Sequence, residues 1–184
     1  VSLVYPAVRG RDITRWQASS GIFVLIVQDP NTRKGYPESR MKTQWAETYK
    51  YLQQFEAPLR NQDAFIKYYE PSDAVYSQFN ISDYTFKPHK VIWKRMANDL
   101  VAAVMSTFPT PFGNKVGVGT DTTSLIPFEN ADEAHYVCAL LNSSLVRAFI
   151  RSFSSAGRGF GAPSIINHIA LPSYTPSYPL HETL

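Results

Sequence analysis

Three arginines near the start of the chain have the type and spacing to bind an anion. Residues 9–11 read Arg-Gly-Arg, and Arg15 directly precedes Trp16. Guanidinium groups donate paired hydrogen bonds to phosphate oxygens, and a glycine lets the backbone approach a ligand closely. Because the spacing fits neither a helical face nor a strand face, we predict a segment that grips a polyanion. An ion pair of Arg11 with Asp12, or with another acid, is the alternative.

The positive charge of the chain is unevenly distributed. The formal net charge is only +3. Residues 84–120 nevertheless hold five lysines and arginines against one acid, and residues 135–181 hold three arginines and no acid. Such blocks are typical of a protein with one positively charged face. A solvated surface that only keeps the chain in solution is the alternative for each block.

The residue types that perform catalysis form no recognisable set. The four histidines, at positions 89, 135, 168 and 181, lack the i, i+4 spacing or the cysteine partners of a zinc site. The one cysteine, Cys138, lies in an apolar helical pattern and is expected to be buried. The sequence has no Gly-x-Ser-x-Gly elbow, no phosphate-binding loop and no Asn-Pro-Pro-Tyr or Asp-Pro-Pro-Tyr tetrapeptide. We therefore expect no metal site and no catalytic residue in this chain.

A glycine-rich stretch at residues 157–162 reads Gly-Arg-Gly-Phe-Gly-Ala. Its letters match a dinucleotide-binding fingerprint, but that fingerprint follows a strand, and here a helical pattern comes first. We therefore reject a dinucleotide site. Two interpretations stay open: a flexible loop, and a loop whose glycines bring Arg158 against a phosphate.

The elements that must position these residues are those of one α+β domain. We predict a mixed or antiparallel sheet, one long amphipathic helix near the C-terminus, and long loops. The domain is expected over residues 1–172, with an extended proline-containing tail at 173–184. The expected elements are strands at 22–27, 90–96 and 100–105, helices at 42–55 and 130–153, and loops at 31–40 and 108–115.

Several short motifs, taken in their order, carry a resemblance to a known family. They are Tyr5-Pro6, Arg-Gly-Arg-Asp-Ile at 9–13, Lys-Val-Ile-Trp at 90–93, Ala-Leu-Leu-Asn-Ser-Ser at 139–144, Gly-Ala-Pro-Ser-Ile at 161–165 and Ile-Ala-Leu-Pro at 169–172. In this order the chain resembles the TaqI-like C-terminal specificity domain, or target recognition domain, of bacterial N6-adenine DNA methyltransferases and fused restriction-modification enzymes. The resemblance extends over roughly residues 5–172.

The resemblance implies a partner, a cofactor and a division of labour. Such domains bind duplex DNA and hold it against their own N-terminal methyltransferase domain, which flips out the target adenine. S-adenosylmethionine and the catalytic tetrapeptide belong to that other domain, so we expect no cofactor and no methyl transfer in this chain alone. Since the chain starts at Val1 and lacks the tetrapeptide, we expect a fragment of a longer, cytoplasmic protein. No apolar run reaches the roughly 18 residues that span a membrane, so no membrane partner is expected.

For a DNA-binding chain, basic residues divide into phosphate anchors and base readers. Base reading favours Arg and Lys on guanine and Asn on adenine, and loops are the usual carriers. The expected phosphate anchors are Arg9, Arg11, Arg15, Lys87, Lys90, Lys94, Arg95, Arg151 and Arg158. The expected base readers are Asn31, Arg33, Lys34, Arg40, Asn114 and Lys115. A protein–protein interaction module of a multi-subunit complex remains the alternative function.

Overall fold

The structure is a computed structural model that describes residues 2–153 and 161–182. Contacts divide the chain into two compact units. The first unit comprises Tyr5–Val24 and Phe86–Leu184, and the second comprises Ser2–Val4 and Leu25–Thr85. Helices and several small sheets occur together, which confirms the α+β class.

The elements follow in chain order. The strands are β1 (Val4–Val8), β2 (Ile13–Thr14), β3 (Gln17–Ala18), β4 (Ile22–Leu25), β5 (Gln28–Asp29), β6 (Lys34–Gly35), β7 (His89–Lys94), β8 (Ala102–Met105), β9 (Thr107–Thr110), β10 (Gly113–Val116), β11 (Val118–Gly119) and β12 (Thr123–Phe128). The α-helices are α1 (Glu38–Gln44), α2 (Ala46–Gln53), α3 (Glu56–Arg60), α4 (Asp63–Tyr68), α5 (Ala131–Asn142), α6 (Ser144–Phe153) and α7 (Pro179–Glu182). Short 3-10 helices span Gly10–Asp12, Asp83–Phe86 and Pro163–His168.

The first unit is built on an antiparallel sheet in the order β12, β7, β8. Its central strand β7 is covered on both faces, so Val91, Ile92 and Trp93 are all fully buried. Val91 and Trp93 pack with helices α5 and α6, while Ile92 packs with Val8, Ile13 and other residues on the opposite side. A strand buried on both faces is expected to be a continuous apolar run, and this one is. A second sheet, in the order β11, β1, β4, joins β1 to β11 in parallel.

The long helix predicted at 130–153 is two helices. Ser143 separates α5 from α6 because its backbone is extended, with φ −64° and ψ 149°. The Ser143 Oγ then accepts the backbone N–H of Val146 at 3.2 Å and satisfies a donor in the first turn of α6. Just before the break, the buried Asn142 amide bonds both ways with the backbone of Ala102: Nδ2 donates to its oxygen at 2.8 Å, and Oδ1 accepts its N–H at 3.0 Å.

Both predicted loops contain regular structure. Residues 108–115 lie in a hairpin of β9 and β10, in which the N–H of Phe112 donates to Thr110 Oγ1 at 3.1 Å inside the turn. Gly113 follows with φ +95°, a conformation that glycine adopts without strain. Residues 31–40 contain the β5–β6 turn and the start of α1. Residues 169–172 are irregular backbone.

The second unit has a core cluster of Leu3, Val27, Met41, Leu52 and Tyr76, to which α1 contributes Met41 and α2 contributes Leu52. The helix predicted at 42–55 is interrupted at Trp45, whose φ of −140° and ψ of 49° end α1 and start α2. The Trp45 ring packs 5.1 Å from that of Tyr36, and its Nε1 donates to Ser2 Oγ at 2.9 Å. These contacts of the Trp45 ring hold the chain in the conformation that separates α1 from α2.

Candidate nucleic-acid interface

The first unit carries the net positive charge of the chain. Its sequence holds eleven lysines and arginines against seven acids, a net charge of +4. The second unit holds seven lysines and arginines against eight acids, a net charge of −1. An anion-binding surface is therefore expected on the first unit.

Thr122 joins two basic segments at one end of the β12–β7–β8 sheet. Its Oγ1 accepts the N–H of Gly10 at 2.9 Å, and its carbonyl oxygen accepts the N–H of Arg95 at 3.0 Å. A Cβ at Gly10 would lie 2.9 Å from that same carbonyl oxygen, closer than packed atoms come. The glycine between Arg9 and Arg11 therefore serves this close approach to β12.

A third basic segment reaches the same end of the sheet. Strands β2 and β3 form a hairpin whose two-residue turn is Arg15-Trp16. The N–H of Trp16 donates to the carbonyl oxygen of Ala102 at 3.0 Å. Ala102 is the first residue of β8 and pairs with Trp93, next to Lys94. The turn thus lies at the end of the sheet where β7 finishes and β8 begins.

We call this surface the basic end, defined by Arg11, Arg15, Trp16, Lys94 and Arg95. Three of its cations, Arg11, Arg15 and Arg95, are exposed, and Lys94 is half-buried. Within residues 2–153 and 161–182, none of these four cations forms an ion pair. Unpaired cations at strand ends and turns are suited to phosphate oxygens, since they need not give up an acid first.

Arg9 is held by an acid instead. Its Nε donates to Asp12 Oδ2 at 2.7 Å and its Nη2 to Asp12 Oδ1 at 3.1 Å, in a bidentate pair. The Arg9 side chain lowers the pKa of Asp12, and Asp12 in turn raises the pKa of Arg9. Asp12, the alternative partner considered for Arg11, is therefore paired with Arg9. This pair closes the Gly10–Asp12 turn and leaves Arg11 pointing outward as an exposed residue.

Arg151 also lies near this end, but it shares an acid. Its Nη2 is 3.2 Å from Asp99 Oδ2, and the guanidinium of Arg147 binds the same carboxylate with two donors. Asp99 precedes β8, and Arg147 lowers its pKa. Two arginines on one carboxylate leave a net charge of +1, so Arg151 stays a possible contact that is weaker than the unpaired cations. Arg158 lies outside the described residues.

Gly161 fixes the chain to the same end of the sheet. Its N–H donates to the Arg95 oxygen at 3.0 Å, and its oxygen accepts Trp93 Nε1 at 2.9 Å and Ser124 Oγ at 2.7 Å. A Cβ at this position would lie 1.8 Å from the oxygen of Lys94. Only glycine therefore fits this close contact with β7.

The predicted anchors Lys87 and Lys90 lie at the other end of β7. Lys90 is fully buried, and its Nζ donates to the carbonyl oxygens of Lys87 at 2.7 Å and Gly117 at 3.0 Å. Burial lowers the pKa of Lys90 to about 8. A side chain enclosed in this way cannot reach a phosphate, which removes Lys90 from the set of anchors. Lys87 is half-buried and forms an ion pair with Glu129 at 2.5 Å.

The two predicted base readers of the first unit, Asn114 and Lys115, do not lie at the basic end. Asn114 is exposed on β10, and Lys115 lies with its Nζ 4.9 Å from the ring centre of Tyr5. Strand β9 starts just after β8 ends, so this hairpin follows the sheet end opposite to the basic end. Burial lowers the pKa of Lys115.

The four remaining base readers belong to the second unit. Asn31 and Arg33 are exposed in the β5–β6 turn, and Arg33 has φ +56°. Lys34 pairs with Asp73 at 2.6 Å, while the Arg40 guanidinium lies 4.4 Å from the ring centre of Tyr36. All four are exposed, and Lys34 and Arg40 are the two engaged by the contacts just given.

The second unit also holds a cleft of about 660 Å³, lined by Lys34, Tyr49, Glu56 and other residues. Its charged groups pair with one another, as Lys34 does with Asp73 and Arg60 with Glu56.

In the described part of the chain, no group of three or more His, Cys, Asp or Glu side chains is placed to hold a metal ion. No helix there has the length and apolar character needed to cross a bilayer. Cys138 is buried, which raises its pKa to about 12.

Two features of the basic end escaped the sequence reasoning. Trp16 follows Arg15 but is not among the site residues predicted from the sequence, and the structure leaves it 58% exposed. Thr122 carries no motif at all and acts through its side-chain Oγ1 and its carbonyl oxygen. A Thr-Arg-Trp-Gln stretch between two short strands could have indicated the hairpin turn, whereas nothing in the sequence around Thr122 indicates its role.

The chain is similar in sequence to a known methyltransferase. No protein-family model matches the chain. Over 155 residues, it is 26% identical to the type II methyltransferase M.NspV of Nostoc sp.. The similarity covers 81% of this chain but only 29% of that methyltransferase. It links the chain, along most of its own length, to the methyltransferases of restriction-modification systems.

Proposed function

We propose that this chain binds duplex DNA as the target recognition part of an N6-adenine DNA methyltransferase, in the manner of the TaqI-like specificity domains. Support comes from the convergence of Arg11, Arg15, Lys94 and Arg95 from three separate segments at one end of a rigid sheet. Catalysis and S-adenosylmethionine belong, in this proposal, to another domain of the same protein. The chain's share of the methyltransferase length is compatible with such a division.

The basic end serves chiefly to position the duplex. Its unpaired cations bind phosphates, which carry no sequence information by themselves. Sequence reading then depends on side chains that reach base edges. Five of the six predicted base readers are exposed. We expect Asn31, Arg33 and Asn114 to read bases, because Lys34 and Arg40 already contact Asp73 and Tyr36. Arg151 and Arg147 share the single carboxylate of Asp99 and so contribute a net positive charge, whereas the charge of Arg9 is neutralised by Asp12.

The salt dependence of DNA binding tests this proposal. We expect the 184-residue chain to bind a labelled duplex in a fluorescence anisotropy titration, with an affinity that falls linearly on a log–log plot against salt. Each phosphate contact contributes a slope of roughly −0.9. The Arg11→Ala/Arg15→Ala double variant should therefore bind more weakly, with a slope shallower by about 2.

A variant with the same change in charge controls for net charge. Lys50→Ala/Lys67→Ala removes two exposed lysines of the second unit, and it should keep the wild-type slope. If both double variants lost the same amount of DNA affinity, the effect would come from the total charge. The basic end would then be rejected as the DNA-binding surface. Absent or salt-independent binding of every duplex would reject DNA recognition altogether.

A protein-interaction module is the second candidate function, because helix α6 presents an apolar stripe. Leu145, Phe149 and Phe153 repeat every four residues and are 78%, 47% and 45% exposed. Side chains at this spacing share one face of a helix and suit a partner surface. Retention of the chain on heparin at moderate salt, lost in Arg11→Ala/Arg15→Ala, favours DNA binding over this alternative.

A further inference from the structure

Trp16 combines three features that seldom occur in one tryptophan. Its side chain is 58% exposed, although tryptophan is mostly buried in folded proteins. Its φ is +73°, in the left-handed region that favours glycine and asparagine. It occupies one of the two positions of a tight turn between β2 and β3. A residue that is both strained and exposed is not explained by local folding preference.

The backbone of the turn is firmly held. The Trp16 N–H donates to the Ala102 oxygen at 3.0 Å, and this oxygen also accepts Asn142 Nδ2 at 2.8 Å. Below the turn, Ile13 is fully buried in the core with Val8 and Ile92. Among residues 2–153 and 161–182, no aromatic ring or cation stacks on the indole. The ring is thus presented from a rigid base without a stacking partner of its own.

The positive charge around the Trp16 indole indicates which class of ligand the ring would bind. Arg15 is adjacent in the turn, and Arg11, Lys94 and Arg95 lie at the same end of the sheet. A flat apolar ring set among unpaired cations matches a ligand that has flat faces and negative charges at a short distance. Nucleobases on a phosphate backbone have this chemistry, and base–aromatic stacking combined with a basic surface is a common way to bind them.

From this geometry we propose that the Trp16 indole stacks on the face of a nucleobase at an opened step of the DNA. The proposal rests on the proposed DNA-binding function and adds a contact to it. Base faces in an intact duplex are covered by their neighbours, so a side chain stacks only where the step is unstacked. The strained turn holds the ring ready, which reduces the ordering cost of binding.

Duplexes with an open step test the proposal. The probes are an intact duplex, the same duplex with one abasic site, and the single strand, each titrated by anisotropy against the full chain. Stacking of one base is worth roughly a 5- to 150-fold difference in affinity. We expect the wild type to bind the abasic duplex more than about fivefold tighter than the intact one. Trp16→Gly should abolish this preference and Trp16→Phe should keep it.

Trp16→Gly separates the ring from the backbone. Glycine relieves the strain of the positive φ, so the turn keeps its shape while the ring is lost. Tyr51→Ala is the matched control, because Tyr51 is 54% exposed on α2 of the second unit, and this variant should keep the preference.

Each other outcome has a distinct meaning. If the chain binds with a steep salt dependence and Trp16→Gly leaves the abasic preference unchanged, the stacking proposal is overturned and DNA recognition stands. If Trp16→Gly changes the oligomeric state and leaves DNA binding unchanged, the ring belongs to a protein contact and the proposal is again overturned. If no probe binds at low salt, both proposals fall.

Discussion

The buried ammonium of Lys90 predicts a specific dependence of stability on pH. Burial lowers its pKa from the usual 10.5 to about 8. Below pH 8 the group is charged in the folded and unfolded states alike, and the folded state bears the full cost of the buried charge. Above pH 10.5 it is neutral in both states and the cost is gone. Between these limits the unfolded state binds more protons, so the free energy of unfolding rises with pH.

The magnitude follows from the size of the shift. One unit of pKa corresponds to about 1.4 kcal/mol, so the gain from Lys90 is about 3 kcal/mol between pH 8 and pH 10.5. Cys138 opposes part of it, because its pKa is raised to about 12 and its unfolded thiol ionises above pH 9. The informative quantity is therefore the difference between the wild type and Lys90→Met, in which the effect of Cys138 cancels.

Urea unfolding followed by tryptophan fluorescence at pH 7.5 and pH 10.5 provides the measurement. Methionine keeps an unbranched chain of similar length and removes the charge. The free energy of the wild type minus that of Lys90→Met should increase by about 3 kcal/mol over this range. The variant also loses the hydrogen bonds that Lys90 donates to the carbonyl oxygens of Lys87 and Gly117. This loss lowers its free energy of unfolding by the same amount at every pH. Lys50→Met, at an exposed position, should run parallel to the wild type; parallel curves for Lys90→Met as well would refute the reasoning.

Two further substitutions probe the elements that hold the basic end. Asn142→Leu leaves the buried N–H of Ala102 without an acceptor and should lower the free energy of unfolding by about 2–3 kcal/mol, whereas Asn114→Leu on exposed β10 should change it by less than about 0.5 kcal/mol. Equal urea midpoints for the two variants would contradict the role of Asn142. Gly161→Ala places a Cβ against the oxygen of Lys94 and should cost about 1–3 kcal/mol, while Gly21→Ala meets only the flexible end of Arg9 and should be nearly neutral. A Gly161→Ala variant as stable as Gly21→Ala would show that β7 can yield there.

The strands β7 and β8 of the first unit could be predicted because their apolar runs are strong and local. The run around Val91 and Trp93 places β7 to within two residues, and the run before Met105 does the same for β8. The breaks in the two long helical patterns could not be predicted. Serine and tryptophan are both tolerated inside helices, and what ends the helices is tertiary: the Asn142 bonds to Ala102 before Ser143, and the ring contacts of Trp45.

At the candidate site, too, some features could be predicted from the sequence and others could not. Arg11, Arg15 and Arg95 are exposed, as their residue type favours, so their availability followed from the sequence. The burial of Lys90 did not, because the carbonyl of Gly117 that receives its ammonium comes from a segment 27 residues away. Likewise, which arginine holds Asp12 depends on the bend of the Gly10–Asp12 turn, a geometry that residue spacing alone does not specify.

The hydrogen bond between Gly10 and Thr122 spans 112 residues of sequence. The surface that it helps to assemble therefore has no counterpart in any short piece of the chain. Contacts of such separation form only after a large loop has closed, which makes them late events in folding. A peptide of residues 8–20 would carry three of the arginines and the indole, yet it would lack the arrangement that the fold imposes on them. Once separated, the two fragments from a cut between Gly10 and Thr122 would keep their cations but lose the common framework that arranges them.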